Sequence, residues 1–264
     1  MIRQRKQAHT PRHDLTRIAR ASKAGIVSVA DAAAALKSSR ADASMRLAAL
    51  AKAGWLERLR RGHYLVLPLD ATSASTTTVE EPWVLAAALY APCYIAGWTA
   101  AEHWGLTEQL FRSTFVATAS NIRERHPTFL GAAFHLVRVK AKRIANLGGV
   151  WRGSIRVPMS SRERTIIDAA IDPRWLGGFR HLEEVFSTYI EEGAEDSLIM
   201  ELRRSGTGAA AKRIGFLAEA RWPEATALIA AAQEMKSRGV IKLDPASRRR
   251  GSMNTRWGVW VNIG

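Results

Sequence analysis

Three arginines crowd one short turn in the stretch Arg58–Pro68, which reads RLRRGHYLVLP. Arg58, Arg60 and Arg61 sit at the tip of what reads as a β-hairpin, with His63 just past the turn. Like charges this close repel, and a hairpin does not need them. The chemistry they suit is phosphate binding, because a planar guanidinium offers a fork of N–H donors that matches two phosphate oxygens. Taken alone, a charged turn is only a solvated loop. What decides between the two is the set of elements that present it.

Upstream lie two helix starts of one kind, Ser28-Val-Ala-Asp31 and Ser39-Arg-Ala-Asp42. In S-x-x-D the serine hydroxyl accepts a free backbone N–H of the first turn, while the acid reaches back and favours the positive helix end. The spacing predicts helices over Val29–Leu36 and Arg40–Ala53, joined through Lys37, Ser38 and Ser39. An earlier helix is expected over about Arg12–Ser22. Two helices joined so tightly suggest a helix-turn-helix. In the second, Ala43, Leu47 and Leu50 fall at i, i+4 and i+7, an apolar stripe for a core. Arg40, Ser44 and Arg46 fall off that stripe and are expected to face outward. Gly54 is placed to end the helix. WLERLR, the Arg61-Gly62 turn and HYLVLP then follow as two strands.

Helix, helix, turn, helix, hairpin is the order of a winged helix. In that arrangement Ser39, Arg40, Ser44 and Arg46 face the major groove of DNA. The wing, with Arg58, Arg60, Arg61 and His63, reaches phosphates or a minor groove. Arg3, Arg5 and Lys6 form a basic arm that can add minor-groove contacts or trail as a solvated tail.

Charge along the chain agrees with this placement. The net charge of +15 is not spread evenly. Residues 1–70 hold 14 Lys and Arg against 5 Asp and Glu; residues 71–235 hold 18 of each; residues 236–264 hold 7 against 1. Two basic ends around a neutral middle are an electrostatic footprint for a polyanion. Within the last segment Arg248, Arg249 and Arg250 form a second arginine run, a further DNA contact or a plain loop.

The remaining chain offers little chemistry. One cysteine, Cys93, leaves no disulfide framework and no Cys-based zinc site. It fits a reducing cytoplasm, and the basic N-terminus MIRQRKQAHTPRH has no apolar stretch behind it to act as a secretory signal. Pro82–Ala101 is 20 residues without a charge, long enough to span a bilayer, but Pro92 and Gly97 interrupt it. It reads as a buried helix, a break, a strand and the start of another helix. No metal-ligand spacing, P-loop or nucleophile elbow is present, so neither a catalytic residue, a metal nor a cofactor is assigned. Asp168 and His181 lack a serine partner for a triad. Glu234-Met-Lys236 is a nuclease-like E-x-K set in a helical run. Trp83, Tyr94, Trp98 and Trp104 read as core.

The expected class is α+β: an N-terminal winged helix-turn-helix over 1–70 and a larger mixed α/β domain over 80–264. A linker over 71–79, which opens with ATSASTTT (Ala71–Thr78), joins them. Beyond it, helices are expected over Glu80–Ala91, from about Thr99, and over Phe179–Glu192, Ala194–Arg204, Thr207–Ala220 and Pro223–Met235. Another starts at a capping box of Ser160 and Glu163. Strands are expected at Cys93–Ala96, Thr114–Thr118, Phe134–Val139, Val150–Val157, Val240–Leu243 and Arg256–Ile263.

Three stretches in this order resemble a known family. They are the wing L-x-R-L-R-R-G-x-Y, then YIAGWTAAEHWGLTEQ (Tyr94–Gln109), then VPMSSRERTIIDAA (Val157–Ala170). Together they resemble the AbiEi antitoxins of abortive-infection toxin–antitoxin systems, from about Gly25 to the C-terminal WGVWVN. The resemblance implies a winged helix joined to a larger antitoxin domain. It implies repression of the protein's own operon through inverted repeats in the promoter, and a neighbouring gene for a nucleotidyltransferase-like toxin, often counteracted without stable binding. It places DNA contacts on Arg40, Arg46, Arg58, Arg60 and Arg61. The Arg248–Arg250 run departs from the family pattern. Two other readings stand beside it: a ligand-sensing winged-helix transcription factor, and a nuclease targeted to DNA by its winged helix.

Overall fold

Serine caps set the starts of two helices of the first unit. The computed structural model describes residues 11–23, 25–67, 81–145 and 147–263. The expected linker over 71–79 and the arm with Arg3, Arg5 and Lys6 lie outside the described residues. The chain divides into two units, the first comprising residues up to Ala91 with His126–Ala133 and Trp151–Arg156, the second Pro92–Arg125, Phe134–Val150 and Val157 onward.

In the first unit the order is α1 (Pro11–Ala21), β1 (Ile26–Ser28), α2 (Val29–Leu36), α3 (Arg40–Lys52), β2 (Leu56–Arg60), β3 (His63–Val66) and α4 (Pro82–Tyr90). Ser28 caps α2 with the full reciprocal box: its hydroxyl accepts from Asp31 N, and its own N–H donates to the Asp31 carboxylate, each at 3.1 Å. Ser39 caps α3 through Asp42 N at 3.1 Å. The helix then ends in a Schellman turn, Trp55 N donating to Leu50 O and Gly54 N to Ala51 O. Gly54 sits at φ +80°, the left-handed region that favours glycine. Ala43, Leu47 and Leu50 are buried as the stripe requires, packed with Ile18, Leu36 and Tyr64. Sequence reading missed β1, a three-residue strand. It pairs antiparallel with β3, Val27 opposite Tyr64, and gives a sheet of order β1-β3-β2.

The uncharged stretch from Pro82 is cut into α4, then β4 (Cys93–Ile95), then α5 (Gly97–His103). Among the described residues no helix is long and apolar enough to cross a membrane. Next come β5 (Ser113–Thr118), β6 (Thr128–Phe129) and β7 (Ala132–Arg138), in a sheet ordered β4-β5-β7-β6. The expected strand over Val150–Val157 is two, β8 (Gly149–Arg152) and β9 (Ile155–Pro158), because Gly153 turns the chain at φ +56°.

Five helices complete most of the second unit: α6 (Arg162–Ile171), α7 (Phe179–Glu191), α8 (Glu195–Ser205), α9 (Gly208–Arg221) and α10 (Thr226–Met235). The cap of α6 is Ser161, which accepts from Arg164 N, and not Ser160 as the spacing suggested. Ser160 is fully buried, its hydroxyl meeting Thr165 at 2.8 Å. The chain closes with β10 (Ile241–Lys242), β11 (Ser252–Asn254) and β12 (Val259–Val261), ordered β10-β12-β11. A single strand over Arg256–Ile263 was expected; the ladder begins only at Val259, and β11 was missed.

The stretches Tyr94–Gln109 and Val157–Ala170 pack on one another. Tyr94 donates to the Asp168 carboxylate at 2.7 Å, Trp104 donates to Ser160 O at 2.8 Å, and Ile95 bridges to Met159. Tyr94 and Trp98 are core residues, and Trp83 and Trp104 are partly buried. Gly215 in α9 leaves a socket for Trp257: a Cβ there would lie 2.0 Å from the indole ring. The Trp257 N–H donates to Glu219 at 2.6 Å.

Candidate nucleic-acid interface

The join between α2 and α3 is tight because Lys37 takes a left-handed conformation, φ 51°, rare for a residue with a side chain. Ser38 N then reaches back to Ala33 O at 3.0 Å. This geometry presents the start of α3 outward. Arg40 and Ser44, one turn apart, are both exposed. Ser39 is exposed too, but its hydroxyl is engaged by Asp42. Met45, opposite the Ala43–Leu47–Leu50 stripe, is 65% exposed. The sequence contained its signal, an apolar residue off the Ala43–Leu47–Leu50 stripe, but it was passed over.

Arg46 departs from the expectation. It is half-buried and donates to Asp14 of α1 at 2.7 Å, the carboxylate side chain being 9% exposed. Its guanidinium ties the first helix to the third. Nothing local in the sequence announces a partner so far upstream.

The wing is a hairpin with a register shift between Arg58 and Arg60. Gly62 turns it at φ +78°, and its carbonyl accepts from Val29 N at 3.0 Å, fixing the wing to the start of α2. Arg58 and Arg61 are exposed. Arg60 turns aside, its guanidinium 5.2 Å from the Tyr90 ring centre and its Nε directed to His63 Nδ1 at 3.4 Å. Burial first, and then the Arg60 charge, lower the His63 pKa. The arrangement presents two free-standing guanidinium groups on the wing and one on α3, flanking a polar and an apolar side chain.

Other sequence candidates fall elsewhere. Arg248, Arg249 and Arg250 are exposed between β10 and β11 of the second unit. Asp168 is fully engaged by Tyr94, Arg164 and Arg143, while His181 bonds Thr107 and Leu176 O; the two do not share a site. Glu234 pairs with Arg203 at 3.5 Å and Lys236 donates to Arg256 O at 2.6 Å, so each side chain of the E-x-K has a partner within the protein.

Comparison with known proteins adds two findings. The crystal structure of the RV2827C protein from Mycobacterium tuberculosis has a similar fold, with a TM-score of 0.56 over 93% of this chain and 88% of that one, at 17% identity. No curated protein sequence matches the chain. The second finding concerns the stretch from α1 through the wing: residues 13–66 match the family described as transcriptional regulator, AbiEi antitoxin.

Proposed function

We propose that this protein is an antitoxin that represses its own operon and counteracts a nucleotidyltransferase-like toxin encoded beside it. It works in the cytoplasm as a regulator and not as an enzyme. The observation that carries the reading is the exposed set on α3 and the wing, Arg40, Ser44, Met45, Arg58 and Arg61, within the segment that matches AbiEi regulators. In this reading α3 enters the major groove, Met45 offers an apolar contact to thymine methyls, and the wing arginines hold phosphates. Ser39 and Arg46 shape the reading face from behind, one as a cap and one as a strut.

The ligand-sensing alternative would use a cleft near Trp222 and Ile263 in the second unit. Arg221 and Glu183 pair across it at 2.7 Å, which suits a structural surface more than an enclosed apolar pocket. The nuclease alternative needs a carboxylate cluster, and among the described residues no group of three metal-ligating side chains assembles.

The test is fluorescence anisotropy on the gene's own upstream duplex against a scrambled duplex, across a salt series. Binding roughly 10³-fold tighter to the upstream DNA is expected. Arg58→Ala with Arg61→Ala should weaken both duplexes and flatten the salt slope by about 1 to 2 units, just under one per phosphate contact. Equal, weak binding to both duplexes would reject promoter recognition. Rescue of growth on co-expression with the neighbouring toxin tests the second half of the proposal.

A further inference from the structure

Apart from the winged helix, the small C-terminal sheet carries an arrangement with a chemistry of its own. The register places Lys242 opposite Trp260 and Trp260 opposite Met253, one row across β10, β12 and β11. Side chains paired across strands share a face. All three are exposed, Trp260 by 39% and Met253 by 37%. The next row, Ile241, Val259 and Asn254, faces the other way, and Val259 there is fully buried. So the sheet packs one face on the core and shows water a tryptophan between a cation and a thioether.

The loop joining β10 to β11 carries Arg248, Arg249 and Arg250, all exposed. Its base is built. The buried Asn262 side chain donates to Asp244 O at 2.7 Å and accepts from Asp244 N at 3.0 Å, while Ser247 Oγ donates to Asn262 O at 2.8 Å. At its far end Gly251 lies so close to the Val261 carbonyl that a Cβ would meet the oxygen at 1.9 Å. The arginines are thereby delivered beside the strand that holds Met253. The only acid among residues 236–264 is Asp244. Its carboxylate is turned to backbone donors, Phe179 N at 3.1 Å and Ala246 N at 2.8 Å. The charge that this segment itself leaves facing solvent is positive, with Arg256 paired to Glu219 of α9 at 2.8 Å.

An aromatic platform with cations on its rim is the recognition chemistry of unpaired bases and their phosphates. A duplex keeps its bases stacked inside, out of reach of an indole on a flat sheet. We infer that this face binds single-stranded nucleic acid, with a base stacked on Trp260 and the flanking phosphates held by Lys242 and the Arg248–Arg250 loop.

The test uses the full chain carrying Arg58→Ala and Arg61→Ala, so that the wing does not contribute. Anisotropy is read with a labelled oligouridine 12-mer, an oligothymidine 12-mer and a random duplex. Both single strands are expected to bind and the duplex to compete poorly; tighter binding of the RNA would mark a contact to the 2′-hydroxyl. Trp260→Ala should weaken the single strands by about tenfold and Trp260→Phe should recover most of that. Replacing Arg248, Arg249 and Arg250 together by Ala should flatten the salt slope by about 2 units. These arginines are exposed, so that variant tests the idea even if Trp260→Ala folds poorly. Single-strand binding unchanged in both sets of variants would overturn the inference. So would competition by duplex as strong as by single strand, or a change in self-association, and not in oligonucleotide binding, on replacing Trp260.

Discussion

Arg46 and Asp14 are 32 residues apart in sequence and 2.7 Å apart in space. The carboxylate is nearly buried, so the guanidinium beside it holds α1 to α3. Arg46→Ala should therefore cost about 1.5–3 kcal/mol of stability, the range for a hydrogen bond to a charged group, in urea unfolding with an unchanged m-value. A variant as stable as the parent would return Arg46 to the role its sequence position suggests, a direct base contact. His63 makes a second residue-level test. Burial and Arg60 lower its pKa, against hydrogen bonds to the backbone at Arg61 and Ala88 and the charge of Asp31, which raise it. The folded chain thus prefers neutral imidazole and the unfolded chain binds more protons. Stability is full above the ordinary imidazole pKa and falls as pH drops toward the lowered one. On the proposed reading, a phosphate seated against the wing would favour the charged imidazole, so DNA binding would take up a proton. Affinity for the upstream duplex should rise from about pH 7.5 to about pH 5.5, and His63→Gln should remove the rise. A parent affinity independent of pH would take His63 out of the interface.

Caps and turns were the elements most legible in the sequence. The S-x-x-D pairs and the glycine after α3 act through neighbours in sequence, so their signals are local. Ser28 and Ser39 mark their helices to within a residue. Gly54→Ala tests the same logic. No atom lies within 4 Å of a Cβ placed there, so the cost is purely the left-handed backbone, about 1–2 kcal/mol by thermal unfolding. No loss of stability would mean the turn relaxes. Elements held by distant partners were not legible. β1 is three residues long and exists because β3 pairs with it. The S-S pair before α6 offered two caps, and burial of Ser160 against Thr165 decided for Ser161. At the candidate interface the residue types and the outward placing of Arg40 and Ser44 were readable, and the orientations of Arg46 and Arg60 were not: the turning of Arg60 onto Tyr90 depends on α4, which lies beyond the expected linker.

Across the whole molecule, charge and burial divide the labour. Basic residues gather at 1–70 and 236–264, while the apolar core of the second unit is spread over α5 to α10. One buried cation helps to hold that core. Arg213 donates to Ala170 O, Ile171 O, Lys242 O and Leu243 O, joining the end of α6 to β10. Burial pulls its pKa down to about 10, still well above neutral, so it stays charged at pH 7. Arg213→Met keeps the bulk and removes the donors. It should cost about 3 kcal/mol, because two buried and two part-buried carbonyls lose a partner. A change under about 1 kcal/mol would mean that water replaces the guanidinium.

The socket at Gly215 has a consequence for the order of events during synthesis. Trp257 is its filler, and it emerges from the ribosome some forty residues after α9 does. Until then α9 presents an apolar hollow. The α1-to-wing segment precedes all of this, its helices and hairpin made of residues 11–66. A nascent chain can thus complete α3 before the second unit is closed. A message cut short before Trp257 would yield a chain with an open flank, a ready substrate for quality-control proteases.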